Sequence, residues 1–154
     1  ETWNGTNWTE VNDLNQGRYG LGVANQSPST ASLVFGGAAP PSPVQKNSTE
    51  SWNGTNWTEV NNLNQAKANL AGNGTSTAAL AFGGNLPGAT ANTEEWNGAG
   101  WTEVANLSVA RFDLAGSGTT TSGLAFGGGT PAPAVTAATE EWSSSSNVVK
   151  TLTD

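Results

Sequence analysis

Two kinds of side chain recur in this sequence at spacings that could do chemistry: paired carboxylates and tryptophans. Glu94-Glu95 and Glu140-Glu141 are acidic doublets. Carboxylate oxygens can hold calcium, and two facing carboxyls can hydrolyse a glycosidic bond. Neighbouring residues on a strand point to opposite faces, so one doublet does not converge on one ion. No Asp-x-Asp-x-Asp-Gly loop is present. The chain has neither Cys nor His, which removes thiolate nucleophiles, imidazole acid-base groups and both kinds of metal ligand. The residues predict no metal, no cofactor and no catalytic group, and so a protein that is not an enzyme.

The seven tryptophans could stack on sugar rings. They also stand at fixed positions, which is what packing requires of large buried aromatics. "TWNGTNWTEVNDLNQ" at 2–16 returns as "SWNGTNWTEVNNLNQ" at 51–65, matching at 13 of 15 positions, and "EWNGAGWTEVANLSV" follows at 95–109. Trp8, Trp57 and Trp101 are read as core anchors, and so, next to the turn, are Trp3, Trp52, Trp96 and Trp142. One basic residue, Arg18, Lys67 or Arg111, lies four after Leu14, Leu63 or Leu107. Each is expected to pair with a carboxylate such as Glu50, Glu94 or Glu140 and to tether neighbouring repeats. The alternative is that it faces a ligand.

The elements behind these positions are short strands. Trp3, Trp52, Trp96 and Trp142 are 49, 44 and 46 residues apart, a period in the range of propeller blades. Glycine interrupts every window that could hold a helix of useful length. Ser48–Trp52 alternates and meets Asn53-Gly54, a hairpin signal whose residues both tolerate positive φ. Asn56–Val60 returns. A polar turn leads to a small-residue strand, Leu70–Gly74, and then to Ala78–Gly84, where Leu80 and Phe82 share a face. Phe35, Phe82 and Phe126 each precede a Gly-Gly doublet.

The order Trp…Trp-Thr-Glu-Val…Leu-x-x-x-Arg/Lys…Gly…Phe-Gly-Gly resembles the kelch repeat, with Trp-Asn standing where that family has Tyr-Asp. The resemblance covers nearly the whole chain. It implies an all-β fold, a kelch-type β-propeller of four-stranded antiparallel blades with the small-residue strand innermost. The kelch-type copper oxidase needs Cys and His ligands, so that activity does not carry over. The Asn/Thr/Gly-rich texture also resembles repeat arrays of marine bacteriophage structural and tail proteins.

With that strand order, residues 1–16 form an outer hairpin, and 17–65, 66–106 and 107–154 form three blades, the last ending in a degenerate strand. Propellers close with about 4–8 blades. The expectation is therefore one part of a longer propeller, or a ring completed by other chains. The chain begins inside a repeat and without Met, which points to the first.

The net charge of -7 and the pI of about 4.3 speak against nucleic acid as a partner. No basic patch is available for an anionic membrane, and no apolar run is long enough to span one. Eight Asn-x-Ser/Thr sequons are what an Asn- and Thr-rich chain throws up by chance. The loops between the Phe-Gly-Gly strand and the next Trp strand differ most: 38–46, 85–91 and 129–138. Pro40, Pro41, Pro43, Val44, Leu86, Pro87, Pro131, Pro133 and Val135 are the candidate contacts there, because unlike loops on a repeated scaffold carry recognition. The alternative is that these loops are spacers with no ligand. The expected partners are other chains or further blades and a host-surface glycan. The expected role is scaffolding or surface attachment in a virion or an extracellular assembly, with a lectin-like propeller and a carbohydrate-active enzyme as alternatives.

Overall fold

The computed structural model of the chain describes residues 1–41, 44–131, 134–144 and 148–152. It is all-β and antiparallel, with no helix among the described residues. A hairpin of β1 (Thr2–Trp3) and β2 (Trp8–Thr9) comes first. The first four-stranded sheet then runs β3 (Gly22–Val23), β4 (Ser32–Phe35), β7 (Thr49–Trp52) and β8 (Trp57–Val60). A short hairpin, β5 (Ala38–Ala39) and β6 (Val44–Gln45), is inserted between β4 and β7. The second sheet runs β9 (Ala71–Thr75), β10 (Ala78–Phe82), β13 (Thr93–Trp96) and β14 (Trp101–Val104), with β11 (Asn85–Leu86) and β12 (Gly88–Ala89) as its inserted hairpin. The third runs β15 (Ala115–Gly118), β16 (Ser122–Phe126), β17 (Thr139–Ser143) and β18 (Val148–Leu152). The inserted hairpins carry no strong pattern of their own and are invisible in the sequence.

The first strands of the three sheets are neighbours, with β9 between β3 and β15. Small residues permit this close approach. A Cβ on Gly72 would run into the Phe35 ring, and one on Gly116 into the Phe82 ring. Asn25 Nδ2 donates to the Gly116 carbonyl at 2.8 Å, reaching from the first sheet to the third. Gly20, Asn69 and Asp113, one per repeat, all take positive φ. Asn69 N–H donates to the Gly20 carbonyl (2.7 Å), and Asp113 N–H to the Asn69 carbonyl (2.9 Å).

Two apolar clusters hold the sheets face to face. Leu33 and Phe35 of the first sheet pack with Leu63, Leu70, Ala79, Ala81, Trp96 and Trp101. Leu80 and Phe82 of the second pack with Leu107, Leu114, Ala125 and Trp142. Phe35 meets Trp101 edge to face, with ring centroids 4.9 Å apart, a favoured aromatic geometry. Burial of Phe35 and its like drives the stacking, since each large side chain contributes about 1.5–3 kcal/mol on leaving water.

The tryptophan reading is corrected in part. Trp101 is buried, Trp57 is half-buried and Trp8 is 64% exposed. The turn-bordering set does better: Trp52, Trp96 and Trp142 are buried, while Trp3 is 51% exposed. The reason is position in the stack. Trp101 lies against Phe35 of the preceding sheet, whereas no such phenylalanine stands before Trp57 or Trp8. Phe126 is 39% exposed for the mirror-image reason, because among the described residues no further sheet packs on it. The Trp52, Trp96 and Trp142 indole N–H groups stay within their own sheets and donate to the carbonyls of Ser29, Ser76 and Thr120.

The Asn-Gly turn is also corrected. Trp52 pairs with Trp57, so the loop has four residues, 53–56. Gly54 alone takes positive φ (92°). Asn53 instead accepts from the N–H groups of Thr55 and Asn56 through Oδ1, both at 2.9 Å. Asn4 and Asn97 do the same in their hairpins. Asparagine is there as an acceptor that closes a turn on itself.

Candidate functional site

Each repeat buries the cation at its repeated position. Arg18, Lys67 and Arg111 have fully buried side chains, and they pair with Glu50 (2.7 Å), Glu94 (3.2 Å) and Glu140 (2.7 Å). The two arginines use the guanidinium as a fork. Arg18 Nη1 donates to the Gly36 and Ser48 carbonyls while Nη2 reaches Glu50, and Arg111 repeats this with Gly127, Ala138 and Glu140. Lys67 has only a compact ammonium, which reaches the Asn92 carbonyl at 3.4 Å. Burial lowers the Lys67 pKa below its ordinary 10.5, and the neighbouring Glu94 carboxylate pulls it part of the way back.

The second carboxylate oxygen is used as well. Glu50 and Glu94 accept from the backbone N–H and side-chain amide of Asn15 and Asn64, and Glu140 accepts from the Ser108 N–H. These pairs tie each incoming linker to the sheet that it enters. Sheets are joined differently, by the backbone of the same residues: Gly37 N–H donates to the Lys67 carbonyl and Gly84 N–H to that of Arg111. The expected inter-repeat tether therefore runs through the cation's carbonyl rather than its charge. These groups are engaged with one another and with backbone carbonyls.

The three pairs cancel internally, leaving two lysines against nine carboxylates. The free charge is thus acidic. Within a doublet, Glu94 is buried and Glu95 is not, in line with strand alternation. Among the described residues no three acidic side chains gather in a group that could hold a metal ion.

The unlike loops come together at one end of the sheets. Tyr19, Ala68 and Phe112, each next to a buried cation, bridge to Ala38, Asn85 and Gly129 at the loop starts. This places Pro40, Pro41 and Val44 on the first loop, Leu86 and Pro87 on the second, and Pro131 and Val135 on the third. Pro40, Pro41, Pro87 and Pro131 are exposed, Val44 is 55% and Val135 91% exposed, and Leu86 is half-buried. Pro43 and Pro133 lie outside the described residues. Beside the third loop is an open cleft of about 420 Å³, lined by Phe112, Asp113, Gly128, Thr130, Ala134 and Val135. Neither Phe112 nor Asp113 stood out in the sequence. The signal that could have found them is their place just after the repeated cation, which the bridges carry to the loop end.

A larger cleft, of about 590 Å³, lies on the opposite side of the first sheet. Val11, Leu14, Arg18, Ser32, Trp52 and Trp57 line it, beside the start of β1.

No protein-family model matches the sequence, and no curated protein does. Solved structures do match. One is that of YjhT, similar over 92% of this chain with a TM-score of 0.75 and 15% identity. At that identity the likeness is one of fold. The match takes in 47% of YjhT, so this chain spans about half the length of that one.

Proposed function

We propose that the chain is a kelch-like β-propeller module, with each four-stranded sheet a blade, that acts without catalysis as a scaffold for surface attachment in a virion or an extracellular assembly. The observation that carries this reading is the division of labour between repeat and loop. The repeated cations and their carboxylates are paired inside each sheet, and Phe35, Phe82, Trp96, Trp101 and Trp142 are buried in the clusters between sheets. The exposed apolar residues Val44 and Val135 sit on loops that differ from repeat to repeat and share one end. A rigid repeated frame with unlike loops is a common way to present recognition surfaces. The acidic free charge directs such a surface toward neutral or basic targets and away from nucleic acid.

The test is attachment. Fluorescently labelled chain should bind bacterial cell envelopes saturably, and replacing residues 129–138 with a Gly-Ser linker should abolish binding while leaving the circular dichroism spectrum unchanged. Equal binding by the loop-replaced chain would sink the reading.

A lectin-like role has one observation in its favour. In the cleft beside the third loop, Phe112 and Asp113 line one space, and an aromatic residue beside a carboxylate residue suits a sugar ring. A glycan array checks it: a hit lost on Asp113→Asn supports sugar recognition, and an empty array ends it.

A further inference from the structure

We infer that the Asn-Gly turns of the hairpins β7–β8 and β13–β14, and of β1–β2, are self-modifying sites. Asn53, Asn97 and Asn4 lose the side-chain amide there and become aspartate or isoaspartate, while Asn73 in β9 does not. The inference is independent of what the loop end binds.

The chain has four Asn-Gly steps, at Asn4, Asn53, Asn73 and Asn97. The reaction open to each is the same. The glycine backbone nitrogen attacks Cγ of the asparagine and gives its proton to solvent base. The Cγ–Nδ2 bond breaks, and Nδ2 leaves as ammonia with a proton from water. A five-membered imide remains. Water then adds to one of its two carbonyls and opens the ring to aspartate or isoaspartate. The nucleophile and the leaving group must be free, the carbonyl oxygen must be stabilised as it gains charge, and water must have access.

Asn53 meets each requirement. Its Oδ1 accepts from the N–H groups of Thr55 and Asn56, both at 2.9 Å. Two backbone donors converging on one carbonyl oxygen are the arrangement of an oxyanion hole, which stabilises the tetrahedral intermediate of attack at that carbon. Among the described residues the Gly54 N–H and Asn53 Nδ2 donate to no acceptor, so neither nucleophile nor leaving group is held. Gly54 has no Cβ to shield its nitrogen, and residues 53–56 are exposed. Asn97 repeats the arrangement with the N–H groups of Ala99 and Gly100 at 3.0 Å. Asn4 does so with those of Thr6 and Asn7 at 2.9 Å.

Asn73 is an internal control. It starts the same Asn-Gly-Thr triplet as Asn53, yet it is 0% exposed. Its Nδ2 donates to the Ser117 carbonyl at 3.2 Å, and its Oδ1 accepts from no group. The leaving group is held, the oxygen has no donors, and solvent does not reach Cγ.

Each event changes the surface. The Trp96 indole N–H joins the 97–100 turn to the turn at Ser76, and residues 53–56, 74–77, 97–100 and 118–122 include no charged side chain. Every conversion places a new carboxylate among these uncharged turns. The aspartate product keeps the acceptor that closes the turn, whereas isoaspartate adds a methylene to the main chain and displaces it.

The unaltered chain is incubated in mildly alkaline buffer, once folded and once in denaturing urea, then digested and read by mass spectrometry at each Asn-Gly step. In urea the four steps should react at similar rates. Folded, Asn53 and Asn97 should react about tenfold faster than in urea, short of an enclosed oxyanion hole because water competes for the same oxygen. Asn73 should react at least about tenfold slower folded, since it must wait for local opening. Ala99→Pro removes one of the two donors and should slow Asn97 while leaving Asn53 unchanged. Should that variant fail to fold, the folded and unfolded rates of the unaltered chain still decide. Rates at Asn53 and Asn97 no faster folded than in urea overturn the inference. So does Asn73 reacting as fast as Asn53 in the folded chain, or an unchanged Asn97 rate in folded Ala99→Pro.

Discussion

At the scale of single residues, the three repeats are a natural experiment on one buried ion pair. Two use arginine, whose planar fork meets two carbonyls and a carboxylate at once. One uses Lys67, which is held at 3.2 Å from Glu94 and 3.4 Å from the Asn92 carbonyl. Lys67→Arg places a fork where its equivalents already fit, and should stabilise the chain by about 1 kcal/mol, the usual scale of an added hydrogen bond. Urea unfolding checks this. Its pH dependence follows from burial, which lowers the Lys67 pKa in the folded state. Between the lowered pKa of the folded state and 10.5 the unfolded chain holds a proton that the folded chain has given up, so across that window the contribution of Lys67 to stability grows as pH rises. Arginine does not titrate there. The advantage of Lys67→Arg should shrink as pH rises toward 10.5, and a constant advantage would refute the argument. That these cations pair with Glu50, Glu94 and Glu140 could be expected from the sequence, because one basic residue and a Thr-Glu step recur at fixed positions in every repeat. Their direction could not: nothing in a one-dimensional pattern says that the carbonyl rather than the charge crosses to the next sheet.

At the scale of elements, alternation and turn residues located the strands of the four-stranded sheets, since a half-buried strand must alternate. The inserted hairpins β5–β6 and β11–β12 escaped, being two-residue strands with no room for a period. The Asn-Gly turns were legible as turns but not in geometry, because the same dipeptide serves a two-residue turn or a four-residue loop closed by the asparagine side chain. The geometry makes a distinction that can be measured. Asn53→Ala removes the acceptor for Thr55 and Asn56 in an exposed loop and should cost about 1 kcal/mol. Asn53→Asp keeps the acceptor and should cost little at neutral pH. Thermal unfolding of the two variants checks it, and equal losses would mean that the oxygen is not what matters. Gly54→Ala forces alanine to a φ of 92° and should cost at least about 1 kcal/mol.

At the scale of the whole molecule, one sequence position has different energetic meaning in each repeat. Phe35, Phe82 and Phe126 are equivalent in sequence, yet the first two are buried at 0% and 4% and the third is 39% exposed. Trp8, Trp57 and Trp101 grade the same way in the opposite direction. Repetition told which residues a sheet stacks with, and could not tell which copies have a neighbour, since that depends on the order of sheets in space. In such an array, stability is close to a sum of repeat terms and nearest-neighbour interfaces. Phe35→Ala opens a void between the first and second sheets and should cost about 3–5 kcal/mol, the range for a large aromatic removed from a core. Phe126→Ala removes the same ring from a position that is 39% exposed, and should cost about half as much or less, since a side chain already in partial contact with water has less to lose. Phe35→Ala should also split the unfolding transition in two, because the first sheet would then be joined to the rest mainly through backbone bonds such as Gly37 N–H to the Lys67 carbonyl. Denaturant titration followed by tryptophan emission and by circular dichroism checks both points. Coincident single transitions in Phe35→Ala, or equal losses at the two phenylalanines, would show that the sheets do not stack as separable units.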